Sequence, residues 1–173
     1  TIGRRQRQMC IRDSSMVMLK TELSAPSWVP EGYKKLGWHA GFDVLIGPMY
    51  FKKEENNQYK FITKILDKHL NAHGIAHGGY SMSLADIFLG SMVFAACGKK
   101  PCSTISLNCN FVSPGLQDDI VECDAKVTRT TKSLVFIEGN LISQDKIILS
   151  ASGIWKILNP VSYTHLTLPT TYG

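Results

Sequence analysis

Between Gly78 and Cys97, apolar residues recur at three- and four-residue steps: Met82, Ala85, Leu89, Met92 and Ala96. Leu84, Ile87, Phe88 and Val93 widen that surface nearly all round. This period predicts one long helix wrapped on most sides, with Gly98 at its end and Pro101 beyond. Downstream the pattern changes to alternation in four segments, STISLNCNFV, DIVECDAKVTRT, SLVFIEGNLIS and KIILSASGIWKIL, joined by short polar turns. These predict consecutive antiparallel strands. In the first, Ile105, Leu107, Cys109 and Phe111 fall on one face and Thr104, Ser106, Asn108 and Asn110 on the other.

Upstream, QYKFITKIL alternates like a strand with one wetter face, and GFDVLIGPMYFKKEENN reads as strand, Gly47-Pro48 interruption, short strand and polar turn. EGYKKLGWHAG reads as a short amphipathic helix packing Tyr33, Leu36 and Trp38. One core helix followed by a run of strands is an α+β layout, an antiparallel sheet curled around that helix. The longest apolar window, around Ile87 to Cys97, is interrupted by Gly90 and Ser91 and falls short of a membrane span.

The 173-residue chain carries 19 basic and 14 acidic residues, a net charge of +5 that invites a nucleic-acid reading. Much of that charge lies in the opening TIGRRQRQMCIRDSS. One DNA sequence that encodes Arg4 to Ser14 has a reverse complement that encodes Pro160 to Thr170. Complementary termini of that length read as translated adapter DNA, so residues 1–15 and 160–173 are set apart from a single domain at 16–159. Without Arg4, Arg5, Arg7, Arg12 and Asp13 the counts become 15 and 13, and the case for a nucleic-acid partner loses its main support. No apolar segment follows the basic start as a signal peptide would require. Cys97, Cys102, Cys109 and Cys123 match neither a CxxC pair nor a zinc pattern, so reduced, mostly buried thiols in the cytoplasm are expected.

The chemistry concentrates at one end of the predicted helix. His77-Gly78-Gly79 places two glycines where a loop becomes a helix, and the free N–H groups there favour partial negative charge, as an oxyanion site does. Asp86 supplies a base or nucleophile. At a rise of about 1.5 Å per residue, however, it lies roughly 12 Å along the axis from Gly78. One chain cannot bring both to one carbonyl, which predicts a dimer with antiparallel helices at the site. His69, His73 and His77 step by four as zinc ligands can, but the glycines and Asn71 between and after them argue against a helix there, so no metal is expected. Ser81 and Ser83 lack a G-x-S-x-G elbow. Met82 and Met92 read as core gap-fillers.

The pattern N-x5-HGG-x6-D, with GF-x4-GPMYFK before it and T-x3-N-x2-FVSPG after it, resembles the hotdog-fold acyl-CoA thioesterases of the phenylacetate-degradation (PaaI-like) type, over roughly Tyr33 to Leu158. The resemblance implies a hotdog homodimer, paired into a homotetramer, acting on an acyl-CoA substrate with a small to medium or aromatic acyl group. It needs no cofactor and no membrane. It assigns catalysis to the Gly78 amide and Asp86 of the partner, with Asn71 and His77 beside the thioester, Gly79 at the substrate and Thr104 near the carboxylate. Arg129, Lys132 and Lys99 either meet the phosphates of coenzyme A or are solvated turn residues. Tyr80, Phe88 and Met49 are candidate linings of an acyl tunnel. A hotdog dehydratase or hydratase would pair Asp86 with a helix histidine, and none follows it. A non-catalytic acyl-CoA binder could dispense with the carboxylate.

Overall fold

The computed structural model describes residues 25–36, 41–55 and 58–158, so both termini set apart above, together with Trp38, lie outside the described residues. Seven strands form one antiparallel sheet in the order β1-β2-β3-β5-β6-β7-β4. They are β1 (Lys34–Leu36), β2 (Met49–Lys53), β3 (Tyr59–Lys64), β4 (Cys102–Phe111), β5 (Ile120–Thr130), β6 (Leu134–Ser143) and β7 (Lys146–Ile157). The helix α2 (Gly78–Ala96) packs against β4 to β7, with Leu84, Phe88, Leu89 and Val93 buried beneath it. Phe88 stacks on Phe61 of β3 at 5.2 Å, and the absence of a side chain at Gly90 lets the helix settle on Trp155, whose Nε1 would lie 3.2 Å from a Cβ there.

The helix ends in a Schellman turn. Gly98, at φ 73°, donates its N–H to the Ala95 carbonyl at 3.3 Å, and Lys99 donates to the Phe94 carbonyl at 2.8 Å. By length and hydropathy α2 could cross a bilayer, contrary to the window count above; here one face is the lid of the sheet's core and the other stays open.

Three local expectations fail for identifiable reasons. Lys34–Leu36 is a strand, because pairing with β2 in the register Lys34↔Phe51 overrides a weak helical pattern. Phe42–Ile46 is a one-turn helix α1, entered through Gly41 at φ 99° and closed by the Gly47 N–H on the Asp43 carbonyl at 2.9 Å; a strand there would need a neighbour that β1 already supplies to β2. Between Thr104 and Ser106, β4 bulges. The extra residue shifts the alternation, so Ile105 is 57% exposed while Thr104 turns to the helix with Leu107 and Cys109. Two further corrections concern packing. Only Cys123 of the four expected thiols is fully buried, and Met82 is 41% exposed rather than core.

His69 follows β3 and holds the loop to the helix. It is 4% exposed, its ring stacks on Tyr80 at 4.0 Å, and Nδ1 accepts the Leu66 N–H at 3.0 Å. Its carbonyl accepts the His77 N–H at 2.8 Å. Burial, with the Lys68 cation alongside, lowers the imidazole pKa from 6.5 to about 4; the Gly47 and Ile46 carbonyls approach the ring and oppose that shift, yet Nε2 makes no hydrogen bond among the described residues.

An unfolded chain therefore takes up this proton below about pH 6.5 while the folded chain refuses it until about pH 4. Stability is complete above that window and falls through it by about 2–3 kcal/mol. Urea unfolding of wild type and His69→Gln at about pH 7.5 and about pH 4.5 checks this: the wild-type loss across the window should exceed the variant's by that amount.

Candidate active site

The loop into α2 is built before the helix begins. Asn71 Oδ1 accepts the His73 N–H at 2.8 Å and the Ile75 N–H at 3.4 Å, while its own N–H reaches the Ile75 carbonyl at 2.8 Å. This Asx turn returns the chain to the Ser113-Pro114-Gly115 segment, where Ala76 donates to the Gly115 carbonyl at 2.8 Å. Asn71 is thus a turn-former whose Oδ1 is occupied, leaving its amide donors for any ligand.

His77 then caps the helix. Its Nδ1 accepts the Gly79 N–H at 2.9 Å from an extended backbone at ψ 134°. The imidazole lies over Gly79, where a Cβ would come within 3.1 Å of Nδ1, and the Phe111 ring lies over Gly78, where a Cβ would come within 3.3 Å of Cε1. Both glycines are needed by their neighbours as well as by any ligand. With the Gly79 N–H committed to the cap, the Gly78 N–H has no hydrogen-bond acceptor among the described residues.

Two turns along, Asp86 Oδ1 accepts the Thr104 hydroxyl at 2.7 Å. The Thr104 position expected beside the carboxylate is occupied as expected, and the bulge delivers it. Asp86 is half-buried on the open face of α2, and its charge contributes to the raised pKa of Cys102 and Cys109, in each of which burial is the larger cause.

One chain therefore holds two separate groups of candidate residues, the Gly78 amide with His77, Gly79 and Asn71, and the Asp86–Thr104 pair about 12 Å away. Arg129 and Lys132 join neither. They lie around the β5–β6 turn, next to the end of β7, where Ile157 donates to the Ser133 carbonyl at 2.9 Å and Leu158 to that of Pro101 at 2.8 Å. That is the C-terminal end of α2, with Lys99. The three spaced histidines are not gathered, since His69 is in the core and His77 is the cap; among the described residues no cluster suits a metal ion. Tyr80, Phe88 and Met49 are buried in the core of this chain, and the Tyr80 hydroxyl lies 3.4 Å from Thr63 Oγ1. The capping role of His77 and the contact of Phe111 with Gly78 have no signal in the sequence, since histidine is not among the usual capping residues.

The Thioesterase superfamily model matches residues 73–149, a span that opens just before the helix loop and closes in β7. The Pseudomonas aeruginosa protein named "Putative esterase PA0474" is 30% identical over 130 residues, 75% of this chain and 97% of that one. The chain belongs to the thioesterase superfamily. It is a thioester hydrolase by family, and its sheet and helix are the hotdog fold. Solved structures share that fold at lower identity. A Streptococcus pneumoniae hypothetical thioesterase bound to coenzyme A is 20% identical with a TM-score of 0.59, over 64% of this chain and 86% of that one. The E. coli PaaI protein from the phenylacetic acid degradation operon is 21% identical with a TM-score of 0.52, over 58% and 72%.

Within this thioesterase the cap makes its own contribution to stability. His77→Ala should lower unfolding free energy by about 1 kcal/mol, and His77→Asn, which retains a capping acceptor, should recover most of it. Chemical denaturation of the three proteins checks the order.

Proposed function

We propose that the protein hydrolyses acyl-CoA thioesters in a homodimer, the Gly78 amide of one subunit holding the carbonyl oxygen while Asp86 of the partner subunit acts on the carbonyl carbon. The observation that carries this is the placement of both half-sites on one uncovered face. Gly79, Met82, Asp86 and Phe94 run along the open side of α2, and β4 beside it is the last strand of the sheet, with no neighbour on its far edge among the described residues.

A ten-residue open edge with Ile105 and Phe111 exposed invites strand pairing. A two-fold axis across it would set the helices antiparallel. It brings Gly78 opposite Asp86 when Met82, midway between them, meets its own copy. The exposure of Met82 fits that place, and the same axis carries Thr104 toward Phe111 of the other chain.

The chemistry is modest in its demands. A hydrogen bond from the Gly78 N–H strengthens as the carbonyl oxygen gains charge. Asp86 either takes a proton from water as it attacks or attacks directly, the anhydride so formed being cleaved by water after the sulfur has left, and the Thr104 hydroxyl on Oδ1 fixes the carboxylate and leaves Oδ2 for that step. The C–S bond then breaks and the sulfur departs as thiolate, which needs no strong acid. Arg129, Lys132 and Lys99, at the far end of the helix, belong in this arrangement to the subunit that supplies Asp86, and they face the phosphate end of the coenzyme. The Streptococcus pneumoniae relative captured with coenzyme A supports that class of substrate.

Thiol release from a panel of acyl-CoA esters tests the reading. Asp86→Asn should lose turnover by about a hundredfold or more while binding coenzyme A as wild type does. Mass in solution should be an even multiple of the chain's. Turnover by a monomer, or near-wild-type turnover by Asp86→Asn, contradicts the proposal.

A further inference from the structure

Tyr80, Phe88 and Met49 are packed in the core, and a second apolar surface lies open beside the Gly78 amide. The space under α2 is closed by Tyr80, Leu84 and Phe88 against Phe61 and Trp155. Around the helix start, however, Phe111, Val112 and Leu116 are each more than half exposed. Phe111 is the one in contact with the site. Its ring rests on Gly78, with Cε1 and Cζ 3.3 and 3.4 Å from where a Cβ would stand, while 57% of the residue remains open. Pairing with Leu149, followed by the Val112 N–H on the Ile148 carbonyl at 2.9 Å, holds the backbone under that ring.

We propose that Phe111 is the specificity-determining residue for the acyl group: an apolar acyl chain of several carbons, or a flat ring, lies on its open face while the carbonyl is held at Gly78. This rests on the hydrolase reading above. A carbonyl oxygen bonded to the Gly78 N–H sits about 3 Å from that nitrogen, so one of the two groups flanking the carbonyl carbon has to pass the ring. On the sulfur side lies an arm bearing polar amides, identical in every coenzyme A ester. On the other side lies the variable hydrocarbon, which gains from contact with Phe111, Val112 and Leu116 as apolar surface leaves water. A Cβ at 78 would stand 3.3 Å from Cε1 of that ring, so a side chain there obliges Phe111 to give by a few tenths of an ångström.

The test compares kcat/KM for acetyl-, hexanoyl- and benzoyl-CoA in wild type, Phe111→Ala and Phe111→Leu, with solution mass recorded for each. Phe111→Ala should lose about tenfold or more on hexanoyl- and benzoyl-CoA and less than about threefold on acetyl-CoA, the difference residing mainly in KM. Phe111→Leu should recover most of the loss on hexanoyl-CoA. An equal loss on all three esters, no loss on any, or a loss explained by dissociation of the dimer overturns the assignment of Phe111 while the hydrolase reading stands. Failure of wild type to release thiol from any ester overturns the hydrolase reading itself.

Discussion

Eight helical residues separate an unclaimed amide from a carboxylate, and that separation governs everything else about this molecule. A helix is too stiff to fold Gly78 onto Asp86, so the proposed site, which uses both, has to be shared between two chains. The rest of the fold is consistent with a second chain supplying the missing half: the open stripe on α2, the terminal position of β4 and the exposed side chains on both. Stability and chemistry meet on the same helix, with one side buried in the sheet and the other left for work.

The helix start shows how closely structural and chemical needs coincide. His77 satisfies one first-turn donor, the one at Gly79, and the Gly78 donor remains unclaimed among the described residues. Asn71 closes the turn that aims His77, and His69 ties that turn to the core through Tyr80. Each glycine admits one ring, imidazole at 79 and phenyl at 78. A residue that looks catalytic by position can also be a scaffold residue by contact: His77 caps the helix and Asn71 forms the turn before it.

Much of this was legible in the chain. The helical period over Gly78 to Cys97 and the four alternating segments locate α2 and β4 to β7 nearly to the residue, because each pattern is sustained over ten residues or more. The short elements before them were not legible: Lys34–Leu36 and Phe42–Ile46 are three and five residues long, too few for period to outweigh tertiary pairing. The Asp86–Thr104 pair was foreseen, but the bulge that turns Thr104 inward leaves no mark on a two-residue alternation and misplaced Ile105. Tyr80, Phe88 and Met49 lie in the core, and the chain alone leaves their role open because aromatic and thioether side chains on a core helix and a neighbouring strand look the same whether they face a ligand or a sheet.

The most direct measurement of a shared site is complementation between subunits. Asp86→Asn and Gly78→Pro chains, the latter lacking the amide proton at a helix position that tolerates proline, are co-expressed with different tags and isolated as the mixed dimer. Each homodimer should be nearly inactive, and the mixed dimer should recover about half of wild-type turnover, because one of its two sites pairs an intact Gly78 with an intact Asp86. A mixed dimer as inactive as its parents would contradict the account.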